Sequence, residues 1–203
     1  MKLPKNVQYY GKDEPLPEQI DLKAGPLNLF YESGDLRYIK FGDKEIIRRV
    51  YVAVRDHNWD TIKPVLSNVQ MDIANDSFSI TYSVNNIQNN IDFFWKGIIV
   101  GKANGSVNFS MEGEARSTFW RNRIGFCILY PMECAGTECQ IEHVNGTIKK
   151  NTFPKFIAPQ LIVDGKPSPV ESFSDIRAIV QKVSPDLWAK VRFEGDTFEM
   201  EDQ

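Results

Sequence analysis

The sequence has 203 residues and a formal net charge of -3 at pH 7, and 42% of its residues are hydrophobic, 12% aromatic and 25% charged. These proportions are typical of a folded globular chain, and they argue against a disordered one. The lack of a basic excess argues against nucleic-acid binding, because contacts to phosphates need clustered Lys and Arg.

Membrane insertion and secretion are not expected from the sequence. No run approaches the roughly 18 consecutive apolar residues that a membrane-spanning helix needs. Residues 1–6 carry charges with no apolar segment behind them, which argues against a secretory signal. Cys127, Cys134 and Cys139 cannot all pair within one chain. We therefore expect reduced thiols, a cytoplasmic location, and neither a membrane nor a nucleic acid as a partner.

Residues 1–25 combine prolines and charges, and we interpret them as an amino-terminal arm. From residue 26 onwards, short runs rich in β-branched and aromatic residues alternate with turn sequences such as Gly42-Asp43 and Asn104-Gly105. Strands are predicted at 27–31, 36–41, 46–55, 65–73, 77–84, 91–100, 105–112, 123–130, 138–143, 176–183, 187–194 and 197–201. This pattern predicts an all-β fold, an antiparallel β-sandwich over residues 26–203 with few or no helices, or a related supersandwich.

Three segments depart from this regular pattern. Residues 151–175 contain four prolines, which predicts a long connection that is either a plain surface excursion or a functional loop. Residues 173–179 fit a short helix and a strand equally well. The chain stops within the acidic run 198–203, so we expect it to be a fragment of a longer, multidomain protein.

Common catalytic and cofactor signatures are absent from the sequence, including Gly-rich phosphate loops, His-Glu-x-x-His and Gly-x-Ser-x-Gly. With only His57 and His143, a three-histidine zinc site is excluded within this chain. Cys134, Cys139 and His143 follow one another closely, but their spacing is wide for a zinc knuckle. We interpret the cysteines as ordinary reduced thiols, and we expect no metal and no cofactor.

The densest group of polar and aromatic residues lies at 112–127. Arg makes planar, bidentate contacts to carboxylates and vicinal hydroxyls, and Trp offers a flat face to a sugar ring. The candidate substrate-binding residues in this segment are Arg116, Trp120, Arg121, Asn122 and Arg123. The alternative is a structural network in which these arginines pair with Glu112 and Glu114 on neighbouring strands.

Two further groups carry titratable side chains. Asp56 and His57 can form an acid–base pair only if they lie in a loop, since adjacent side chains on a strand point to opposite faces; a plain loop tip is the alternative. Glu199 and Glu201 share one face at strand spacing, which suits acid–base chemistry or pairing with the arginines. We add His57, Glu199 and Glu201 to the candidate substrate-binding residues, and the catalytic residues stay unknown.

Four segments resemble the N-terminal region of the D-apionate lactonase family, bacterial enzymes of apiose catabolism that hydrolyse a sugar-acid lactone. The segments are GDLRYI at 34–39, RVYVAVRD at 49–56, GEARSTF and RNRIGFC within 113–127, and VRFEGD and FEMEDQ within 191–203. The resemblance implies a β-rich N-terminal domain that precedes a barrel-type middle domain and a C-terminal β domain. The lactone-opening groups are then expected outside these residues, and the isolated chain is expected to be inactive.

The expected partners are a small sugar acid or lactone and the remaining domains of the same longer chain, with a homodimer through an exposed apolar patch. Two other functions stay open. A non-catalytic carbohydrate-binding sandwich would use Trp95, Trp120 and the arginine edge. A mutarotase-like epimerase or lyase would need a His and a carboxylate that face each other in a cleft.

Overall fold

The computed structural model describes residues 3–155, 161–163, 166–168 and 173–200. In this part of the chain, a short helix and a 3-10 turn accompany fifteen strands. The helix α1 is Lys5–Tyr10 and the 3-10 turn is Met132–Cys134. The strands are β1 Ile20–Ala24, β2 Leu27–Glu32, β3 Asp35–Phe41, β4 Lys44–Asp56, β5 Pro64–Ile73, β6 Phe78–Gln88, β7 Ile91–Gly101, β8 Val107–Ala115, β9 Arg121–Leu129, β10 Glu138–His143, β11 Ile148–Thr152, β12 Leu161–Val163, β13 Lys166–Ser168, β14 Ile176–Ser184 and β15 Leu187–Arg192. The predicted all-β class is confirmed.

The chain divides into two compact units, Met1–Leu129 and Tyr130–Gln203. The first unit contains two antiparallel sheets with the strand orders β1-β2-β3-β4-β9 and β5-β6-β7-β8. Both sheets grow by consecutive hairpins, and β9 then returns to the first sheet beside β4. The strand β1 falls within the segment interpreted as an arm and pairs with β2.

Alternation of apolar and polar residues builds the core of the first unit. Along β6, Phe78 and every second residue after it are buried as far as Asn86, because successive side chains of a strand point to opposite faces. The two sheets meet through Tyr82, whose hydroxyl donates a 2.7 Å hydrogen bond to the carbonyl of Gly34. Phe109 and Phe126, from opposite sheets, pack edge to face with ring centroids 4.9 Å apart. The first unit is therefore a β-sandwich.

The second unit is built on a four-stranded sheet with the order β11-β10-β14-β15. Residues 176–179 lie in the central strand β14, so the strand alternative is correct there and the helix alternative is wrong. Within the predicted strand 197–201, Phe198 forms an isolated bridge with Ile176. The long connection at 151–175 contains the hairpin of β12 and β13.

No helix in the described part of the chain is long and apolar enough to cross a membrane.

Candidate functional site

The pairing of β4 with β9 joins two of the predicted site segments at one end of the first unit. Asp56, the last residue of β4, lies opposite Arg121, the first residue of β9. A register shift between Val54 and Asp56 interrupts the ladder beside this pair. Such irregularities bend a strand and redirect its side chains. The loop that carries His57 and the start of β9 that carries Arg121 and Arg123 are therefore neighbours.

The backbone of the 56–60 loop is held by the carboxylate of Asp56. Its Oδ1 accepts hydrogen bonds from the amides of Asn58, at 2.8 Å, and Asp60, at 3.0 Å. The amide of Asp56 donates to the carbonyl of Asp60 at 3.0 Å, which closes the loop. Asp56 thus stabilises a turn, as Asp commonly does. An acid–base pair of Asp56 and His57 was expected only if the two residues lay in a loop, and His57 does lie at the exposed tip of one. The carboxylate of Asp56, however, is hydrogen-bonded to backbone amides.

Trp59 lies close to two guanidinium groups at this end of the sandwich. The guanidinium carbons of Arg55 and Arg123 lie 5.7 and 5.5 Å from the centroid of its ring. These distances are within the range of cation–π attraction. Trp59 remains 48% exposed. We call Arg55, Trp59, Arg121 and Arg123 the arginine–tryptophan cluster.

The connection from β8 to β9 presents a second exposed indole. Trp120 is 83% exposed and immediately precedes β9. Arg121 is exposed, and its Nη1 donates to the carbonyl of Asn122 at 3.3 Å. Asn122 is half-buried, as expected where side chains alternate between the faces of a strand. Trp120, Arg121 and Arg123 therefore present a flat apolar face and two cations to solvent.

Arg116 immediately follows β8, and its side chain lies over an aromatic ring. Its guanidinium carbon is 4.1 Å from the ring centroid of Phe94, and its Nη1 donates to Oδ1 of Asn85 at 3.4 Å. The predicted partner Glu114 lies opposite Phe94 in the β7–β8 ladder, and Glu112 lies opposite Lys96. The observed partners of Arg116 are therefore a ring and an amide.

A buried asparagine of the second sheet holds the β4–β5 connection at the same end. Asn86 is 2% exposed, and its Nδ2 donates to the carbonyl of Ile62 at 2.8 Å. Its Oδ1 accepts a 3.0 Å hydrogen bond from the indole N–H of Trp95. Ile62 follows the loop that contains Trp59, so Asn86 fixes that loop to β6 and β7. Sequence reasoning missed this residue because a polar side chain in an alternating strand carries no sign of its cross-sheet partner.

A part-buried group of charges on β2, β3 and β4 was also missed. Arg49 Nη2 lies 2.6 Å from Oδ2 of Asp35, and Arg37 Nη1 lies 3.4 Å from Oε1 of Glu32. Burial raises the pKa of the Asp35 carboxyl above its ordinary value of 3.8, although Arg49 acts in the opposite direction. These partners are separated in sequence and meet only through strand register.

The remaining candidates belong to the second unit. Glu199 is half-buried and follows Phe198, which stacks on Phe193 with ring centroids 4.1 Å apart. Glu201 lies outside the described residues. His143 is buried, its Nδ1 lies 2.9 Å from the carbonyl oxygen of Ser174, and its Nε2 is buried without a hydrogen-bond partner.

Cys127, Cys134 and Cys139 are reduced and form no disulfide. Burial raises the pKa of Cys139 to about 11, which disfavours the thiolate that metal binding and nucleophilic attack require. Among residues 3–155 and 173–200, no group of three or more His, Cys, Asp and Glu side chains is arranged to hold a metal ion.

Comparison with known proteins identifies the family of the chain. Residues 7–203 match the family described as D-apionate lactonase, N-terminal domain. The chain is 34% identical over 200 residues to a curated D-apionate lactonase of Brucella anthropi, and the match covers 96% of this chain and 30% of that relative. No solved structure matches the chain. The chain belongs to the family of D-apionate lactonase N-terminal domains, and it spans less than a third of the length of this curated relative.

Proposed function

We propose that this chain is the N-terminal β domain of an enzyme that hydrolyses the lactone of a sugar acid, with a catalytic site largely outside these 203 residues. The name and the greater length of the curated relative support this proposal. The domain then has two partners, a small sugar acid or its lactone and the other domains of the longer protein. Its contribution is to bind and orient the substrate.

The arginine–tryptophan cluster is the observation that carries this proposal. Opening a lactone requires an activated water and stabilisation of the developing oxyanion. Guanidinium groups donate planar, paired hydrogen bonds to carboxyl and hydroxyl oxygens. Arg121 and Arg123 lie on the same strand two residues apart, beside the exposed Trp120. These side chains provide donors for the polar edge of a sugar acid and a flat surface for its carbon face.

The location of the catalytic groups is tested by comparing two proteins in a lactone-hydrolysis assay with the lactone of D-apionate. One is this 203-residue chain, and the other is the same chain extended to the greater length of the relative. We expect turnover by the extended protein alone. Turnover by the short chain would overturn the proposal and direct attention to His57, His143 and Glu199.

The role of the cluster is tested by Arg121→Ala in the extended protein. We expect kcat/KM to fall by about tenfold to a hundredfold, which is the range for loss of one charge-assisted hydrogen bond to the substrate. Lys102→Ala, in the β7–β8 turn at the opposite end of the same unit, is the control and should leave kcat/KM unchanged. Equal activity of both variants would exclude a substrate contact by Arg121.

The geometry gives less support to a sugar surface that includes Trp95 and to a mutarotase-like epimerase. Trp95 is 3% exposed and its indole N–H is used by Asn86, so it cannot stack on a sugar. An epimerase would need His57 opposite a carboxylate, but the adjacent Asp56 accepts two backbone amides instead.

We also propose a homodimer and a cytoplasmic location. The strand β5 lies at the edge of its sheet and exposes four apolar side chains, namely Val65, Val69, Met71 and Ile73. Exposed apolar edge strands favour pairing with a second strand. Sedimentation velocity would show a dimer that Met71→Lys dissociates, and a monomer at all concentrations would contradict it.

The proposed cytoplasmic location is supported by the reduced cysteines, because a reducing compartment keeps thiols reduced. Cell fractionation would test it.

A further inference from the structure

A groove with both polar and apolar lining crosses the solvent-facing side of the β5–β8 sheet. Its walls and floor include side chains from all four strands. The lining residues that matter here are Gln70, Thr81, Ser83, Lys96, Ser110 and Glu112. The groove has a volume of about 580 Å³, which is within the range of roughly 300–1,000 Å³ typical of small-molecule sites.

Strand register arranges these side chains in two rows across the sheet. One row runs through Thr81, Ile98 and Ser110, and the next runs through Ser83, Lys96 and Glu112. Residues directly opposite in neighbouring strands have closely spaced Cβ atoms. The second row therefore presents three polar groups in line, and the first presents two hydroxyls on either side of Ile98. With strands about 4.8 Å apart, four strands give a surface roughly 14 Å wide, longer than one sugar ring.

An irregularity in β5 shapes the edge of the groove. The ladder with β6 shifts register between Ser67 and Gln70. Asn68, within this shift, has a left-handed backbone with a φ of 52° and contributes to the lining. Bulges of this kind are frequent beside binding sites, where they redirect side chains. Asn68 and Gln70 therefore add amide groups beside the hydroxyls of Thr81, Ser83 and Ser110.

The chemistry of the lining selects the ligand class. The polar groups are hydroxyls and amides, and Lys96 lies directly opposite Glu112, so that the two charges balance. A surface of this kind favours an uncharged ligand with many hydroxyls over an anion. Ile98, 45% exposed in the middle of the floor, offers an apolar contact to the carbon face of a sugar ring.

We propose that this groove binds a short neutral oligosaccharide. The site lies on β5–β8, whereas the arginine–tryptophan cluster is built on β4, its following loop and β9, so the proposal goes beyond the function proposed above and does not depend on it. The hydroxyl of Thr81 donates hydrogen bonds to sugar hydroxyls or accepts them, the carboxylate of Glu112 accepts them, and Ile98 contacts the ring.

The test is an NMR titration of the isotopically labelled 203-residue chain with cellotriose, maltotriose, xylotriose and mannotriose, and with a galacturonate trimer. We expect at least one neutral trisaccharide at millimolar concentration to shift the amide signals of Thr81, Ser83, Lys96 and Ile98. Neutral sugars should bind more tightly than the galacturonate trimer. The absence of any neutral binder, or tighter binding of the anionic trimer, would overturn the proposal.

Matched variants locate the site. Thr81→Val keeps the shape of the side chain and removes its hydroxyl, and Glu112→Gln removes a charge; each should raise Kd by up to about tenfold. Asn108→Ala, on the same face of β8 but outside the groove, should leave Kd unchanged. The spectrum of each unliganded variant confirms that it is folded. Binding that is insensitive to both groove variants would place the sugar elsewhere and refute the assignment.

Discussion

At the scale of single residues, the cross-strand pair of Tyr82 and Gly97 gives the sharpest stability prediction. The two residues are directly opposite in β6 and β7, and a Cβ on Gly97 would lie 2.5 Å from Cζ of Tyr82. The Tyr82 ring packs edge to face against the rings of Tyr31, Trp95 and Phe109. It cannot move aside without losing these contacts. We expect Gly97→Ala to lower the free energy of unfolding by about 1–3 kcal/mol, as measured by urea denaturation.

Two comparisons isolate the steric cause. Lys96→Ala, at the exposed adjacent position of the same strand, should change stability by less than about 0.5 kcal/mol. The Tyr82→Leu variant lacks the ring. In that variant, Gly97→Ala should lower the free energy of unfolding much less than it does in the parent protein. An equal cost in both backgrounds would show that the effect comes from the backbone and not from the ring.

The sequence identified residues by type but could not identify their partners. Arg121 and Arg123 stand out because arginine and tryptophan are concentrated around them, and the structure places Arg123 beside Trp59 from the other predicted cluster. That contact depends on which strands pair and in which register. The same limit applies to Asn86 and Gly97, whose roles become visible only once β6 and β7 are aligned with their neighbours.

At the scale of elements, the strands that could be predicted were those in which apolar and polar residues alternate. The strands β6 and β7 bury every second residue over most of their length, and both predictions are confirmed. The strand β11 was missed because its sequence, Ile148–Thr152, contains two lysines and an asparagine and has no alternating apolar positions. It lies at the edge of its sheet, where burial imposes little pattern.

An ion pair that crosses the sheet of the second unit predicts a pH-dependent stability. Glu142 on β10 and Arg192 on β15 lie in one row on either side of Ala178, whose small side chain leaves room for Oε1 and Nη1 to meet at 2.9 Å. Hydrogen bonds from Arg192 and then Lys190 hold the pKa of Glu142 below its ordinary value of 4.5. A carboxylate with a lowered folded-state pKa stabilises the protein above its unfolded-state pKa, and the contribution is lost as the pH falls through the folded-state pKa.

We therefore expect Glu142→Gln to lower the urea midpoint at neutral pH and to have little effect well below pH 4.5. Glu133→Gln, at an exposed position in the turn Met132–Cys134, serves as the control for a general change in net charge. A loss of stability by Glu142→Gln that is the same at both pH values would mean that the ion pair is not its cause.

At the scale of the whole molecule, sequence periodicity predicted the fold class but could not show how the strands divide between compact units. Alternating patterns look alike in every sheet, whereas the division depends on pairing. Every strand ladder recorded among the described residues joins strands of the same unit: β1 to β9 pair among themselves, as do β10, β11, β14 and β15. The long-range return of β9 to β4 completes the first unit.

This division predicts that residues 1–129 fold without the rest of the chain. Both sheets of the sandwich and the Tyr82 hydrogen bond lie within this fragment, so its amide NMR signals should match those of the same residues in the full chain. A shorter fragment, 1–115, ends before β9, so that β4 pairs with β3 alone and exposes Val50 and Val52 at a new edge. We expect the shorter fragment to aggregate or stay unfolded. If both fragments fold, β9 is dispensable, and if neither folds, the first unit depends on residues beyond 129.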